Sequence, residues 1–137
     1  MTRRASPISA IALITGFAVA AGATAVRGEL RDEASITEGL IAVAIAYEIG
    51  ERCDDLSARR LTGINYLFAL KAEAERLGYS EAEIDAFVDS DAEQDRLEGV
   101  ARERLRGFGA LEGQWHTYCT VGTAQIDGDT LVGRLLR

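Results

Sequence analysis

The stretch ASITEGLIAVAIAYEIGERC, residues 34–53, decides the fold. Every residue from Leu40 to Tyr47 is apolar, and further apolar residues recur at helical intervals on both sides of that run. A helix that is apolar nearly all the way round is buried on most of its sides. We therefore predict a central helix here, begun by a capping box of Ser35 and Glu38. The alternative is that one face of this helix is an oligomer contact.

The rest of the chain also indicates helices. Its only Pro is Pro7, so no residue of the body lacks the backbone N–H that an α-helix needs. We predict an all-α fold, a small helical bundle of four to five helices with one disulfide, preceded by a signal peptide. The second helix is expected over 56–77, with Asp54 and Asp55 as its caps and a broad apolar stripe. That stripe consists of Leu61, Ile64, Leu67, Phe68 and Leu70.

Two capping boxes mark the next helix starts. Ser80 with Glu83, and Ser90 with Glu93, have the spacing at which each member satisfies a backbone N–H. Gly78 is expected to end the preceding helix, and GFG at 107–109 the following one, with Phe108 facing inward. A short helix through Cys119, the turn DGDT at 127–130 and a last helical turn complete the prediction.

The N-terminal residues have the pattern of a signal peptide. MTRRASPISAIALITGFAVAAGATA begins with two Arg residues, continues with an apolar run and ends in an A-x-A pattern at Ala23 to Ala25. We predict cleavage of residues 1–25, which leaves 26–137 as a single helical domain in the periplasm or secreted. The alternative is an uncleaved anchor, and a membrane is a partner only in that case.

Charge bounds the class of partner. After removal of residues 1–25 the chain has 13 basic and 22 acidic residues, a net charge of −9. Nucleic acids and anionic membrane surfaces attract basic patches, so we expect neither as a partner. We expect a protein partner, and a cationic one would suit an acidic body.

Cys53 and Cys119 are the only cysteines. An even number of cysteines in a small exported protein indicates a disulfide. The closed loop is long, and such a cross-link contributes roughly 4 kcal/mol on the chain-entropy model.

The pentapeptide WHTYC at 115–119 holds the only Trp and the only His. A structural zinc site wants four ligands, and a thiol nucleophile must be a free thiolate. With a single His and an oxidised Cys119, neither site is complete. We therefore interpret Trp115 and Tyr118 as a structural anchor beside the disulfide, and we predict no catalytic residue, no cofactor and no metal ligand.

An acidic run covers residues 81–98, with eight acids and one Arg. The alternating acids from Asp89 to Asp95 look like early ligands of a calcium loop, but Gln94 and Val100 stand where that loop needs Gly and Glu. Acids also collect at helix starts because the helix dipole favours negative charge there. We predict that this run forms a partner surface of Glu81, Asp85, Asp89, Asp91 and Asp95.

Four stretches carry a resemblance to a known family: CDDLSAR from Cys53, LGYSEAEIDAFV from Leu77, YCTVGTAQI from Tyr118, and the final VGRLLR. With them the chain resembles a family of small exported proteobacterial proteins that is classed as a domain of unknown function. The resemblance implies export and the disulfide, and it implies no catalytic role.

We therefore predict a periplasmic, non-enzymatic helical protein that binds a protein partner or acts as an accessory subunit. The alternatives are a carboxylate-based hydrolase and a metal-binding module. A deep pocket with several carboxylates would favour the hydrolase, and an exposed apolar patch would favour binding.

Overall fold

A computed structural model describes residues 28–137, and the predicted signal peptide at 1–25 lies outside them. A 3-10 turn at Leu30–Asp32 precedes six α-helices, and no strand occurs in this range. The helices are α1 Ala34–Arg52, α2 Arg60–Arg76, α3 Glu81–Val88, α4 Asp91–Phe108, α5 His116–Asp127 and α6 Leu131–Arg134. The all-α prediction is confirmed, and the four-residue α6 brings the number of helices to one more than expected.

Helix α1 lies at the centre of the bundle, as its apolar sequence predicts. It contacts α2, α4, α5 and α6. Ile49 on α1 and Leu105 on α4 are the largest side chains with almost no solvent exposure. A smaller second core, which includes Leu70, Tyr79 and Ile84, joins α2 and α3 to the 3-10 turn.

The disulfide between Cys53 and Cys119 is confirmed. It joins the residue after α1 to the first half of α5, with the two Cα atoms 5.1 Å apart. The cross-link therefore ties the central helix to the C-terminal segment.

The predicted start of α2 is wrong. Asp54 and Asp55 do not cap a helix at residue 56, and α2 begins four residues later at Arg60. The intervening backbone pairs instead with the C-terminus: Ser57 and Arg137 exchange two N–H···O bonds of 2.9 and 3.0 Å. These non-local bonds hold the segment extended and so delay the helix.

The capping predictions have mixed outcomes. Ser80 and Glu83 form a complete capping box. Ser90 accepts a hydrogen bond from the Glu93 N–H, but the Glu93 carboxylate is bound to arginines rather than to the Ser90 backbone.

The predicted capping box of Ser35 and Glu38 is wrong. Helix α1 begins at Ala34 with Glu33 as its N-cap, and Glu38 pairs with Arg104. An ionised guanidinium is a stronger partner for a carboxylate than a backbone N–H.

The chain turns are as expected at three places. Gly78 and Gly109 have positive φ values of 94° and 104°, which glycine adopts without strain, and each follows the end of a helix. Thr130 caps α6 by accepting a 3.0 Å hydrogen bond from the Gly133 N–H. Phe108, however, is exposed rather than inward.

No helix within residues 28–137 is long and apolar enough to cross a bilayer.

Candidate functional site

The residues of WHTYC precede and include Cys119, one of the two disulfide cysteines. The Trp115 ring lies 5.7 Å from the Tyr118 ring, and the Arg52 guanidinium lies 4.8 Å from the centre of the Trp115 ring. Tyr118 is buried, while His116 is exposed at the first position of α5. These contacts fit a structural anchor at the end of α1.

Asp55 lies beside the same disulfide. Its carboxylate and the two cysteine sulfurs all lie within 4.8 Å of one another. A metal would need the sulfurs as thiolates, and here they are bonded to each other. In the oxidised protein this group therefore offers one carboxylate and no thiolate ligand.

The acidic run forms part of two helices and not a calcium loop. Residues 91–95 are the first turns of α4, and Glu93 pairs with Arg31 at 2.5 Å and with Arg96 at 2.8 Å. A twelve-residue loop around a calcium ion is incompatible with that helix. The five acids of the predicted partner surface are all exposed, at Glu81, Asp85, Asp89, Asp91 and Asp95.

A groove beside Gly28 and the 3-10 turn has a cavity volume of about 400 Å³, and its lining includes three carboxylates, those of Glu29, Glu83 and Glu93. A carboxylate-based hydrolase would need a groove of this kind, in which several carboxylates face a bound substrate. Two of these groups already have structural roles, since Glu83 belongs to the capping box and Glu93 binds two arginines. The arrangement supports helix α3 and the 3-10 turn.

Arginines set the pKa of two carboxyl groups elsewhere. A hydrogen bond from Arg104 lowers the pKa of Glu38, and one from Arg76 lowers that of Glu73. A general acid at neutral pH needs the opposite, a pKa raised by burial or by a like charge. These two groups are therefore ion-pair partners.

The feature that the sequence analysis missed is an exposed apolar surface. On α2 only Leu70 of the predicted stripe is buried, and the other four members are exposed, namely Leu61, Ile64, Leu67 and Phe68. Their neighbours Tyr47 on α1 and Val88 on α3 are exposed as well. The stripe thus has one side in the core and one side in solvent.

These side chains, apart from Leu61, border a groove that runs along α1. We define the apolar groove by its lining residues on α1, α2, α3 and α4: Leu40, Val43, Tyr47, Ile64, Leu67, Phe68, Val88 and Leu97. Helix α1 forms its floor, α2 and α4 form its two sides, and α3 borders one end. The part between α1, α2 and α3 has a cavity volume of about 340 Å³.

The charged residues along the apolar groove are separated by side. Three carboxylates, those of Glu48, Asp85 and Glu98, stand on α1, α3 and α4. Three bases stand on or just before α2, at Arg59, Arg60 and Lys71. Of the predicted partner surface, Asp85 lines the apolar groove and Glu81 lies 3.3 Å from the Lys71 ammonium. Asp89, Asp91 and Asp95 lie outside its lining.

A signal for the apolar groove was present in the sequence. Leu61 and Leu70 are nine residues apart, which places them about 180° apart around an α-helix. One core cannot cover both sides of a helix, so an apolar stripe of that width predicts a second contact.

Comparisons with known proteins give one match. Residues 28–137 match the model of a family described as Family of unknown function (DUF5333). That range includes all four stretches that carry the resemblance. No curated protein and no solved structure matches the chain. The family description assigns no activity, so the function has to be argued from the surface.

Proposed function

Since the chain belongs to DUF5333, a family of unknown function, we propose its role from the surface it presents: it is a non-enzymatic protein that binds another protein through the apolar groove. The observation that carries this proposal is the exposure of α2. Phe68 and Ile64, which line the apolar groove, are 67 % and 48 % exposed, although both are large apolar residues of that helix. Water-exposed apolar area of this kind is costly unless a partner covers it.

Five large apolar side chains of the apolar groove are exposed together, with exposed fractions from 39 % at Leu67 to 67 % at Phe68, the others being Tyr47, Ile64 and Val88. Apolar side chains exposed singly are normal on a protein surface, whereas a contiguous apolar patch often marks an interaction site. This clustering supports a binding role.

We further propose that the protein works outside the cytoplasm, in the periplasm or after secretion. The disulfide supports this, because disulfides persist in oxidising compartments and are rare in the cytosol. The signal-peptide pattern of residues 1–25 supports it independently.

The test of the proposed function is capture of a partner from an extract of the native compartment with the tagged protein. Phe68→Ser should abolish capture. Phe108→Ser is the matched control, because Phe108 is also exposed, at 51 %, and lies outside the apolar groove. His116→Ala should leave capture unchanged. Equal capture by the Phe68 and Phe108 variants, or loss of capture through His116→Ala alone, would refute the proposal.

A further inference from the structure

We infer that the occupant of the apolar groove is a single amphipathic helix of a partner protein, with a basic edge that faces α3 and α4. This inference rests on the proposed function and names the chemistry of the partner. Three features of the described residues lead to it: the shape of the apolar groove, the distribution of charge around it and a glycine in its wall.

The shape fits a helix. The floor from Leu40 to Tyr47 consists of eight residues of α1 and is about 10 Å long. Val43 and Tyr47 on this floor line the apolar groove both on its α2 side and on its α4 side. An apolar channel between two helices is where an amphipathic helix lays its apolar face, with anchors at i, i+3, i+4 and i+7. The guest would complete a bundle around α1.

The charge distribution selects the partner. Residues 81–98, which form α3 and the first half of α4, contain eight acids and one Arg, and Asp85 and Glu98 from this run line the groove. A guest helix with Lys or Arg along that edge gains attraction there. A second copy of this chain carries the same large negative charge, −7 for the full chain, and like charges oppose its approach.

Gly63 leaves part of the α2 backbone open. It lies in the first turn of α2 and lines the apolar groove. Apart from its own helix backbone and its chain neighbours, no described group lies within 4 Å of the place where a Cβ would be. Because glycine has no side chain, a guest helix can approach the backbone closely at this point.

The test uses three synthetic helical peptides and fluorescence anisotropy. The first has Leu at i, i+3, i+4 and i+7, with Lys along one edge of the Leu face. The second has Glu in place of Lys. The third has the composition of the first, with its Leu residues distributed around the helix. The Lys-edged peptide should bind at least about 10-fold more tightly than either of the others.

Variants of the protein locate the binding site. Phe68→Ser should weaken binding of the Lys-edged peptide about 10-fold or more, and Asp85→Lys several-fold. The controls Phe108→Ser and Glu112→Lys, both at exposed positions outside the apolar groove, should leave it unchanged. Melting curves of all four variants check that each is folded.

The inference is overturned if the Lys-edged peptide fails to bind, binds no better than the redistributed peptide, or binds equally to the Phe68 and Phe108 variants. Sedimentation separates this failure from that of the proposed function. A wild-type dimer that Phe68→Ser converts to a monomer would show that a second copy occupies the apolar groove. Protein binding would then stand, and the amphipathic guest would be wrong.

Discussion

Tyr47 on α1 and Ile64 on α2 face the same groove from neighbouring helices, and each leaves about half of its surface in solvent, 56 % and 48 %. Both belong to apolar runs that a single core would be expected to bury. The bundle thus buries one side of α2 and leaves the other uncovered, which is the basis of the binding role proposed here.

The same Leu→Ala substitution, made separately at Leu70 and at Leu61, tests the two sides of α2. Leu70 is 8 % exposed and Leu61 is 78 % exposed. Leu70→Ala should lower the free energy of unfolding by about 2–4 kcal/mol, because it leaves a cavity in the core. Leu61→Ala should change it by no more than about 0.5 kcal/mol. Chemical denaturation measures both, and similar losses for the two variants would show that α2 packs differently.

Reduction of the disulfide between Cys53 and Cys119 should lower the stability of the protein strongly. The disulfide closes a loop between residues 66 apart in sequence, so its removal should cost roughly 3–4 kcal/mol. For a domain of this size the melting temperature should fall by more than about 10 °C. The double variant of Cys53→Ser and Cys119→Ser should melt at the lower temperature with or without reductant. A wild-type melting temperature that reductant leaves unchanged would contradict the structural role.

Much of the fold follows from local patterns. The central position of α1, the capping box at Ser80 and the glycine ends at Gly78 and Gly109 depend on residues that lie close together in sequence. The start of α2 could not be predicted in this way, because the Ser57 backbone bonds to Arg137 at the far end of the chain. Glu38 likewise has a distant partner, Arg104, which removes it from the predicted capping box.

The site was harder to predict than the fold. The five acids of the predicted partner surface are exposed, and one of them, Asp85, borders the apolar groove; their role as a partner surface stays a prediction. Periodicity shows that Leu61 and Phe68 lie on a helix, but it does not show which apolar side meets the core. That choice depends on how α1 and α3 pack against α2, which is a tertiary property.

Gly63 and Gly99 provide a matched pair inside two helices. At neither residue does any described group, apart from the chain neighbours and the backbone of the same helix, lie within 4 Å of the position that a Cβ would take, and only Gly63 lines the apolar groove. Alanine at either site should raise stability by about 0.5–1 kcal/mol through its better helix propensity. Gly63→Ala should also weaken partner capture, whereas Gly99→Ala should not. Destabilisation by Gly63→Ala would show that its backbone is already in close contact.

The ion pair of Glu38 and Arg104 predicts a small pH effect. Arg104 donates hydrogen bonds of 2.5 and 2.7 Å to Glu38, and these lower the pKa of its carboxyl. A lowered folded-state pKa gives stability that is present above the unfolded pKa, about 4.3, and is lost as the pH falls through the folded value. Both side chains are more than a third exposed, so the pair contributes at most about 1 kcal/mol.

Glu38→Gln should therefore lower stability slightly at pH 7 and not at pH 2, as measured by denaturation at both values. An equal difference at the two pH values would mean that the side chain acts through packing rather than through its charge.

The central claim is that the apolar groove contacts a protein partner in the native compartment. Its most direct test is to replace Phe68, and separately Phe108, with a photo-crosslinking phenylalanine analogue and to irradiate cells that express each variant. Both positions are exposed to a similar degree, 67 % and 51 %. We predict a discrete crosslinked adduct from position 68 and none from position 108. Adducts of equal yield at both positions, or an adduct at 108 alone, would contradict this claim.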